Sequence, residues 1–409
     1  MSGPRSRWSW LESPVIPVLV LLVSLGLHVL VMAQGIDGFR MIDLRVYVAG
    51  PLHLGDGTLY TFVTPKEDLP FTYPPFAAMV FWPLAQLPFA ATAVIWQLLC
   101  VVLVASSLYL TLRLLGKTGP GGDWPPSLVR GLVLVGTAVA LWVEPVRTTF
   151  NYGQINLLLM TVLLLGVVAT KDWIAGLTVG LTAGIKLIPA ITGLFYLLSR
   201  RFSAVAAAVA TFVATGLLAL LVVPDLTRRY FTELIFEPER TGVVAAVRNQ
   251  SLRGAIDRLA GEDSTVLWAV AVVGVIVLGI LATAWCLRSG DRLAAFLAVQ
   301  FIGLEISPIS WNHHWVWVLP LLLWCWCGPR RAERAVQWLA GSWAVVTLAF
   351  LLPLLAAQES KTWGAGEPLA LWVRLLGAVY PVLGIATLVV LSTVGRTAVP
   401  AAKQAPADA

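Results

Sequence analysis

Long apolar stretches recur from one end of the chain to the other, and they constrain the fold more than any other feature. Of the 409 residues, 58% are hydrophobic and only 12% are charged, whereas soluble domains contain about 25% charged residues. A backbone that crosses lipid must satisfy its hydrogen bonds internally, which helices of about 20 apolar residues achieve. The pattern therefore predicts an all-α polytopic membrane protein.

Twelve apolar runs are candidates for helices that cross or enter the membrane. They lie at 15–33, 90–114, 130–146, 154–170, 173–187, 189–199, 203–223, 265–287, 293–306, 315–327, 335–357 and 371–394. Arg5 and Arg7 precede the first run, as in a signal peptide, but no clear cleavage site follows, so we interpret it as a retained span. Pro189 separates two short runs, which predicts a V of helices reaching part-way into the membrane.

Basic residues are distributed unevenly between the two sides of this arrangement. With the N-terminus in the cytoplasm, the inner segments contain 15 of the 28 basic residues and six of the 22 acidic ones. This bias agrees with the positive-inside rule and favours about 12 transmembrane helices with both termini inside. The proline-containing stretch 73–89 must then enter the membrane without crossing it, since a crossing there would move the basic clusters outside.

These assignments predict a single integral membrane domain, residues 1–394, followed by a disordered cytoplasmic tail, residues 395–409. Two long loops, 34–72 and 224–264, are expected on the outer face of the plasma membrane. The net charge of +6 is better explained by this topology than by an affinity for nucleic acid. No basic tract with interleaved aromatic residues is present, so we expect no nucleic-acid binding.

The cysteines do not predict a metal site. Cys100, Cys286, Cys325 and Cys327 lie inside or beside apolar runs. The spacing of Cys325 and Cys327 is too short for a CxxC pair. We expect no resident metal and no other cofactor, although the sequence leaves a requirement for a divalent cation open.

The motif Ile42-Asp43-Leu44-Arg45-Val46-Tyr47 lies in the first long loop. A carboxylate held near the membrane surface, beside Arg45 and Tyr47, can act as a general base if it reaches the proton it must take. A solvated or salt-bridged aspartate is the alternative. The same loop contains three competing carboxylates, Asp37, Asp56 and Asp68.

A rigid aromatic motif, Phe71-Thr72-Tyr73-Pro74-Pro75-Phe76, follows at the end of this loop. The double proline restricts the backbone around Tyr73. The motif suits a stiff rim that grips a sugar or a lipid, with an interfacial aromatic anchor as the alternative.

A turn at the membrane edge is bracketed by Glu144-Pro145-Val146-Arg147 and Asn151-Tyr152-Gly153-Gln154-Ile155-Asn156. Amides suit hydroxyl-rich ligands because each both donates and accepts hydrogen bonds. Gln154 and Asn156 are therefore candidate binding residues, as is the neighbouring Arg147, and helix capping is the alternative for the asparagines.

Lys186 is the only basic residue in the apolar stretch 180–189. A lysine at the centre of a membrane helix costs about 2.5–3.5 kcal/mol on insertion scales. It therefore needs a partner, an anionic ligand or a route for its side chain to the interface. The phosphate of a lipid-linked ligand at the outer headgroup level would satisfy it, and snorkelling to the interface is the alternative.

Arg248-Asn249-Gln250-Ser251-Leu252-Arg253 follows a charge-rich loop. The side-chain amides of Asn249 and Gln250 are candidates for contacts to a ligand. A structural turn is the alternative, and Asn249-Gln250-Ser251 also matches the glycosylation sequon, a frequent chance match.

Ser307-Pro308-Ile309-Ser310-Trp311-Asn312-His313-His314-Trp315 contains two of the four histidines between two apolar runs. Either histidine could donate to a phosphate or assist proton transfer near neutral pH. Trp311 and Trp315 could stack on a sugar or sit in the interfacial belt. A metal site is a further alternative, but no third and fourth ligand stands out.

As a set and in this order, the motifs around Asp43, Tyr73, Gln154, Lys186, Asn249 and the two histidines resemble those of glycosyltransferase family eighty-seven. These are actinobacterial mannosyltransferases that depend on polyprenyl phosphomannose and have the GT-C membrane fold. The resemblance covers nearly the whole chain. It is strongest to the α-1,2-mannosyltransferases that extend phosphatidylinositol mannosides or branch lipomannan.

This resemblance implies an inverting glycosyltransferase with a β-linked polyprenyl phosphomannose donor and a mannosylated phosphatidylinositol acceptor. It assigns the general base to Asp43 and a second catalytic role to His313 or His314, without deciding between them. Lys186 is expected to contact the donor phosphate. A lipid or sugar transporter and a non-catalytic assembly subunit are the alternatives, but transporters usually have ionisable residues near the midplane and internal repeats.

Overall fold

Helices joined by turns and loops make up the described parts of the chain. The computed structural model describes residues 9–34, 39–261, 264–365 and 367–397. Within these ranges no β-strand occurs, only two isolated antiparallel bridges, Val63 with Pro70 and Asn249 with Trp311. The all-α class is confirmed. Asp37 and the tail residues 398–409 lie outside the described residues.

Twenty α-helices lie within the described ranges. The first ten are α1 (Ser9–Glu12), α2 (Ile16–Gln34), α3 (Ile42–Ala49), α4 (Pro75–Ala85), α5 (Phe89–Leu114), α6 (Pro126–Ala140), α7 (Glu144–Tyr152), α8 (Asn156–Val168), α9 (Asp172–Ile185) and α10 (Thr192–Leu198). The others are α11 (Phe202–Val222), α12 (Pro224–Thr232), α13 (Leu252–Ala260), α14 (Thr265–Arg288), α15 (Arg292–Ile306), α16 (Val318–Cys327), α17 (Arg334–Leu348), α18 (Leu351–Gly364), α19 (Leu371–Leu376) and α20 (Val379–Val394). Short 3-10 helices cover Gly50–His53, Ile188–Ile191, Leu234–Phe236, Pro238–Thr241 and Asn312–Trp317.

Fewer described helices can cross a membrane alone than the twelve apolar runs suggest. Five helical segments are long and apolar enough: α2, α5, α11, α14, and α19 with α20. The total rises to seven if the bent pairs α6–α7 and α17–α18 each count as one span. The difference arises because several runs are interrupted by bends or begin with a 3-10 turn. The α-helical part of run 315–327, for example, has only 10 residues.

Two interruptions agree with the sequence interpretation. The stretch predicted to enter the membrane without crossing it contains α4, whose 11 residues extend about 16 Å, only half of a hydrocarbon core. The two short runs around Pro189 form α9 and a second short helical segment, Ile188–Leu198. The helical backbone is interrupted at Lys186 and Leu187, between these two segments, so the lysine lies at a helix end.

A stripe of glycines allows α9 to pack closely against α11. Gly176, Gly180 and Gly184 recur every four residues on α9, and a Cβ atom on any of them would lie 2.4 Å from an atom of α11. Small residues at this spacing let membrane helices approach until their backbones touch. The contact fixes the end of α9, and with it the position of Lys186.

We expect Gly180→Ala to destabilise the protein, because its new methyl group would meet Thr211 Cβ at 2.4 Å. Overpacking of this kind costs about 1–3 kcal/mol. The free energy of unfolding in detergent measures the effect. Gly216→Ala is the matched control on α11, since no atom lies within 4 Å of its Cβ position. Equal stability of the two variants would contradict the proposed close packing.

Candidate active site

A cavity of about 520 Å³ lies where both long loops meet the ends of α3, α7 and α9. The first loop and the residues directly after it contribute 68–70 and 72–74, and the second loop contributes Tyr230, residues 239–242 and Arg248. Seven predicted site residues line it: Asp43, Tyr73, Gln154, Lys186, Trp311, His313 and His314. Segments far apart in sequence are therefore brought together at one cavity.

The turn between α7 and α8 positions Asp43 at the first turn of α3. The Met41 backbone, in the left-handed region (φ 48°), donates its N–H to Asn151 O at 2.8 Å. The Asn151 side-chain oxygen accepts from Arg40 N at 3.1 Å. Gly153 (φ 70°) allows the close approach, since a Cβ there would lie 2.6 Å from Leu44 Cβ. Asn151 thus holds the backbone of Arg40 and Met41 and does not line the cavity.

The Asp43 carboxyl group is partly buried at the cavity wall. Burial raises its pKa to about 7, while the Lys186 charge and a hydrogen bond from Gln154 act in the opposite direction. Desolvation prevails because it penalises the charged carboxylate directly. Its Oδ2 atom has no hydrogen-bond partner among the described residues. A carboxylate with these properties is suited to accept a proton near neutral pH.

Lys186 is buried, and two side chains satisfy its ammonium group. Nζ donates to Asn156 Oδ1 and to His314 Nε2, both at 3.0 Å. The group also lies 5.5 Å from the centre of the Tyr73 ring. It follows the last residue of α9, where the partial negative charge of the helix C-terminus favours a cation. The lysine is therefore held facing the cavity and is not snorkelling.

The two histidines occupy different positions. His314 accepts from Lys186, because an ammonium group has only donors, so His314 is neutral and carries its proton on Nδ1. His313 packs edge-on against Tyr152, and neither of its ring nitrogens has a partner among the described residues. Burial and the nearby Lys186 charge lower the pKa of both rings. His313 thus has both ring nitrogens available to a ligand, whereas His314 has only Nδ1.

Tyr47, Tyr73 and Gln154 form a closed ring of hydrogen bonds behind Asp43. Tyr47 Oη donates to Gln154 Oε1 at 2.9 Å and lies 3.0 Å from Tyr73 Oη. Gln154 Nε2 lies 3.3 Å from Tyr73 Oη. Tyr47 is fully buried against Phe81, so it positions the other two side chains from behind the cavity wall.

A buried carboxylate that the sequence interpretation left without a role holds the histidine segment. Glu144, 1% exposed, accepts hydrogen bonds from Thr148, Asn312 and Tyr380. The adjacent backbone is fixed as well, since Asn156 Nδ2 donates to His313 O at 2.9 Å. Asn156 therefore contacts both Lys186 and the histidine segment without lining the main cavity.

Several predicted binding residues do not line the cavity. The Asn249 amide bonds to Val244 O, Pro308 O and Ser310 N. The Gln250 amide bonds to Val247 O, Gly377 O and Tyr380 N. Both side chains are fully buried, and their groups are occupied by backbone. For both residues the structure therefore shows the alternative given above, a structural turn, in place of a contact to a ligand.

Three further predicted side chains also point elsewhere. Arg45 lies over the Phe89 ring and Arg147 over the Phe350 ring. Trp315 is fully buried among Phe301, Trp343 and Tyr380. None of the three lines the cavity, so direct ligand contacts are not supported. The 3-10 turn of Asn312–Trp317 directs Trp315 into the protein interior.

The cavity also contains cationic and aromatic residues that the sequence interpretation missed. Arg240, Arg248 and Tyr152 line it, with the Arg248 guanidinium 6.0 Å from the Tyr152 ring centre. Arg248 directly precedes the amides that were chosen as candidates. The charge of Arg248, in a predicted outer loop, could have identified this residue as a candidate for binding an anionic ligand.

The competing carboxylates Asp56 and Asp68 differ from Asp43 in their surroundings. Asp56 lies outside the cavity and contacts Thr58 and His53. Asp68 lines the cavity but is exposed, which leaves Asp43 as the more buried of the two. In the described ranges, no group of three or more His, Cys, Asp or Glu side chains could hold a metal ion. That the protein needs no cofactor stays a prediction.

We expect Glu144→Gln to loosen the histidine segment. One carboxylate oxygen becomes an NH₂ group that faces a former donor, and an unsatisfied buried group costs about 1–3 kcal/mol. Amide hydrogen exchange in residues 310–317 should then accelerate by about tenfold. Tyr380→Phe removes a single donor and should have a smaller effect. Unchanged exchange in Glu144→Gln would show that the carboxylate does not hold this segment.

Comparison with known proteins identifies the family of this chain. Residues 71–308 match glycosyltransferase family 87. A polyprenol-phosphate-mannose-dependent alpha-(1-2)-phosphatidylinositol pentamannoside mannosyltransferase of Mycobacterium tuberculosis is 41% identical over 379 residues, covering 91% of this chain and 85% of the relative. Its namesake in Mycolicibacterium smegmatis is 41% identical over 360 residues, covering 86% and 85%. A phosphatidylinositol mannoside mannosyltransferase of that organism is 32% identical over 385 residues, covering 88% and 84%.

The match includes most of the segments that form the cavity, from the aromatic motif to Pro308. It identifies a transferase and contradicts the transporter and assembly-subunit alternatives. The chain is a membrane glycosyltransferase and belongs to glycosyltransferase family 87.

Proposed function

We propose that the protein transfers mannose from polyprenyl phosphomannose to a mannosylated phosphatidylinositol and forms an α-1,2 linkage. The relatives that cover most of the chain carry this activity in their names. The observation that carries the proposal is the juxtaposition of Asp43, which can accept a proton, and Lys186, which can face a phosphate, at one cavity.

In the proposed reaction, Asp43 takes the proton from a hydroxyl group of the acceptor mannose. The freed oxygen attacks the anomeric carbon from the face opposite the phosphate, so a β-linked donor yields an α-mannoside. The bond from this carbon to the phosphate oxygen breaks, and both electrons leave with the phosphate. The transition state resembles an oxocarbenium ion, and the partly buried cavity limits access of competing water.

Lys186 and His313 are placed to stabilise the departing phosphate. The ammonium group offsets the charge that develops on the phosphate oxygens, and such preorganised electrostatics are a large part of catalysis. His313 can donate a hydrogen bond from a ring nitrogen that is otherwise unpaired. His314 instead orients Lys186. Because the phosphate leaves as an anion, no strong general acid is needed.

We place this reaction on the outer face of the plasma membrane, with both termini cytoplasmic. The basic residues of the inner segments support this orientation.

Arg240 and Arg248, which line the cavity, suit the phosphate of a phosphatidylinositol acceptor. Membrane lipids surround the apolar helices.

A transfer assay tests the proposal. Purified protein in detergent should convert radiolabelled polyprenyl phosphomannose and a phosphatidylinositol mannoside into a mannosylated product. Asp43→Asn should lower kcat by about 10²–10⁴-fold, the usual contribution of a general base. Asp68→Asn is the matched control, because Asp68 lines the same cavity but is exposed. A folded protein that transfers no mannose would refute the substrate assignment, and an active Asp43→Asn variant would refute the base.

The pH dependence provides a separate test of Asp43. Only the deprotonated carboxylate can act as a base, so kcat/KM should rise with pH and reach half its plateau near pH 7, the raised pKa of this group. The Lys186 charge lowers that pKa, so Lys186→Gln should move the rise to higher pH as well as weaken donor binding. Asp68→Asn should leave it in place. A rise near pH 4 in the unaltered protein would contradict the assignment.

A further inference from the structure

A second, apolar cavity of about 630 Å³ lies between α5, α6, α16 and α17. It shares no lining residue with the active-site cavity. Neither the transfer reaction nor the packing of the site uses it. Leucine, valine and tryptophan side chains form most of its wall, so it excludes a sugar and favours a hydrocarbon chain.

The dimensions of this cavity match an acyl chain. One wall is a stripe along α6 that runs from Leu128 through Leu132 and Val135 to Val139. Eleven residue steps of an α-helix cover about 16 Å. This is about half of the ~30 Å hydrocarbon core of a bilayer, and thus the depth of one leaflet.

One end of the cavity is basic. Lys117 and Arg331 both line it, together with Cys327 at the end of α16. Lys117 contacts the carboxylate of Asp123 at 3.4 Å, but that carboxylate is 62% exposed, so solvent screens the pair. The two cations among the lining residues therefore give this end a net positive charge. It belongs to the segments that the charge distribution assigns to the cytoplasm.

We propose that this cavity binds an anionic glycerophospholipid of the leaflet at its basic end. The phosphodiester group lies between Lys117 and Arg331, and one acyl chain fills the apolar stripe along α6. Basic pockets between membrane helices recognise anionic headgroups in this way. Trp124, which also lines the basic end, contributes the amphipathic ring that is typical of the interface. The site is separate from both lipid-linked substrates.

Native mass spectrometry of the purified full chain tests this site. We titrate phosphatidylglycerol and phosphatidylcholine with identical acyl chains and compare their apparent dissociation constants. The unaltered protein should bind the anionic lipid on the order of tenfold more tightly. Lys117→Gln combined with Arg331→Gln should remove this preference and leave phosphatidylcholine binding unchanged. Arg334→Gln is the matched control, since this arginine is exposed at the start of α17 but does not line the cavity.

The apolar part of the site is tested separately. Val139→Trp fills the far end of the cavity and should weaken both lipids. Glycerophosphoglycerol, which lacks acyl chains, should not compete. Equal affinity for the two lipids, or a preference that survives loss of both cations, would overturn the proposal. If the double variant does not fold, Lys117→Gln and Arg331→Gln are measured singly, and each should lose part of the preference.

Discussion

The buried ammonium group of Lys186 is the constraint on which the site depends. A charge removed from water must be met by polar partners, and the protein supplies them from two distant segments, Asn156 at the start of α8 and His314 in the 3-10 turn. These contacts fix the tautomer of His314 and leave the neighbouring His313 with unpaired ring nitrogens. They also leave the ammonium close enough to Asp43 to influence its pKa. The charge of Lys186 thus acts on the pKa of the proposed base, and its ammonium group is itself proposed to contact the phosphate.

The surrounding fold explains how this charge is held. The glycine stripe of α9 lets that helix touch α11, so the helix end that carries Lys186 is set by backbone packing. Gly153 performs a similar role on the opposite side, where it allows the turn after α7 to meet α3. Asp43 and Lys186 therefore reach the cavity from elements fixed by close helix contacts, and not from free loop tips. Rigid support of this kind is what precise catalytic geometry requires.

Much of this arrangement could be predicted from the sequence. Apolar runs and basic residues indicate a helical membrane protein, and an isolated lysine in an apolar stretch indicates a polar site because its burial is unfavourable. The bend of 72° between α6 and α7 is missed, since run 130–146 is interpreted as one helix although Glu144 and Pro145 begin a second one. The roles of Asn249 and Gln250 could not be predicted from the sequence. An amide that binds a ligand and an amide that binds backbone have the same composition and the same position near a turn, and only the packing distinguishes them.

The hydrogen bond from Tyr380 to Glu144 spans 236 residues of sequence. At roughly 5–20 residues per second, a ribosome reaches Tyr380 about 10–50 s after it has added Glu144. Throughout that interval the carboxylate lacks the donor from Tyr380, and for the first 168 of these residues it also lacks the donor from Asn312. The chamber therefore reaches its final form only when the last helix has been inserted. A chain that ends before Tyr380 therefore lacks one of the three donors that hold Glu144, the carboxylate that fixes the histidine segment of the site.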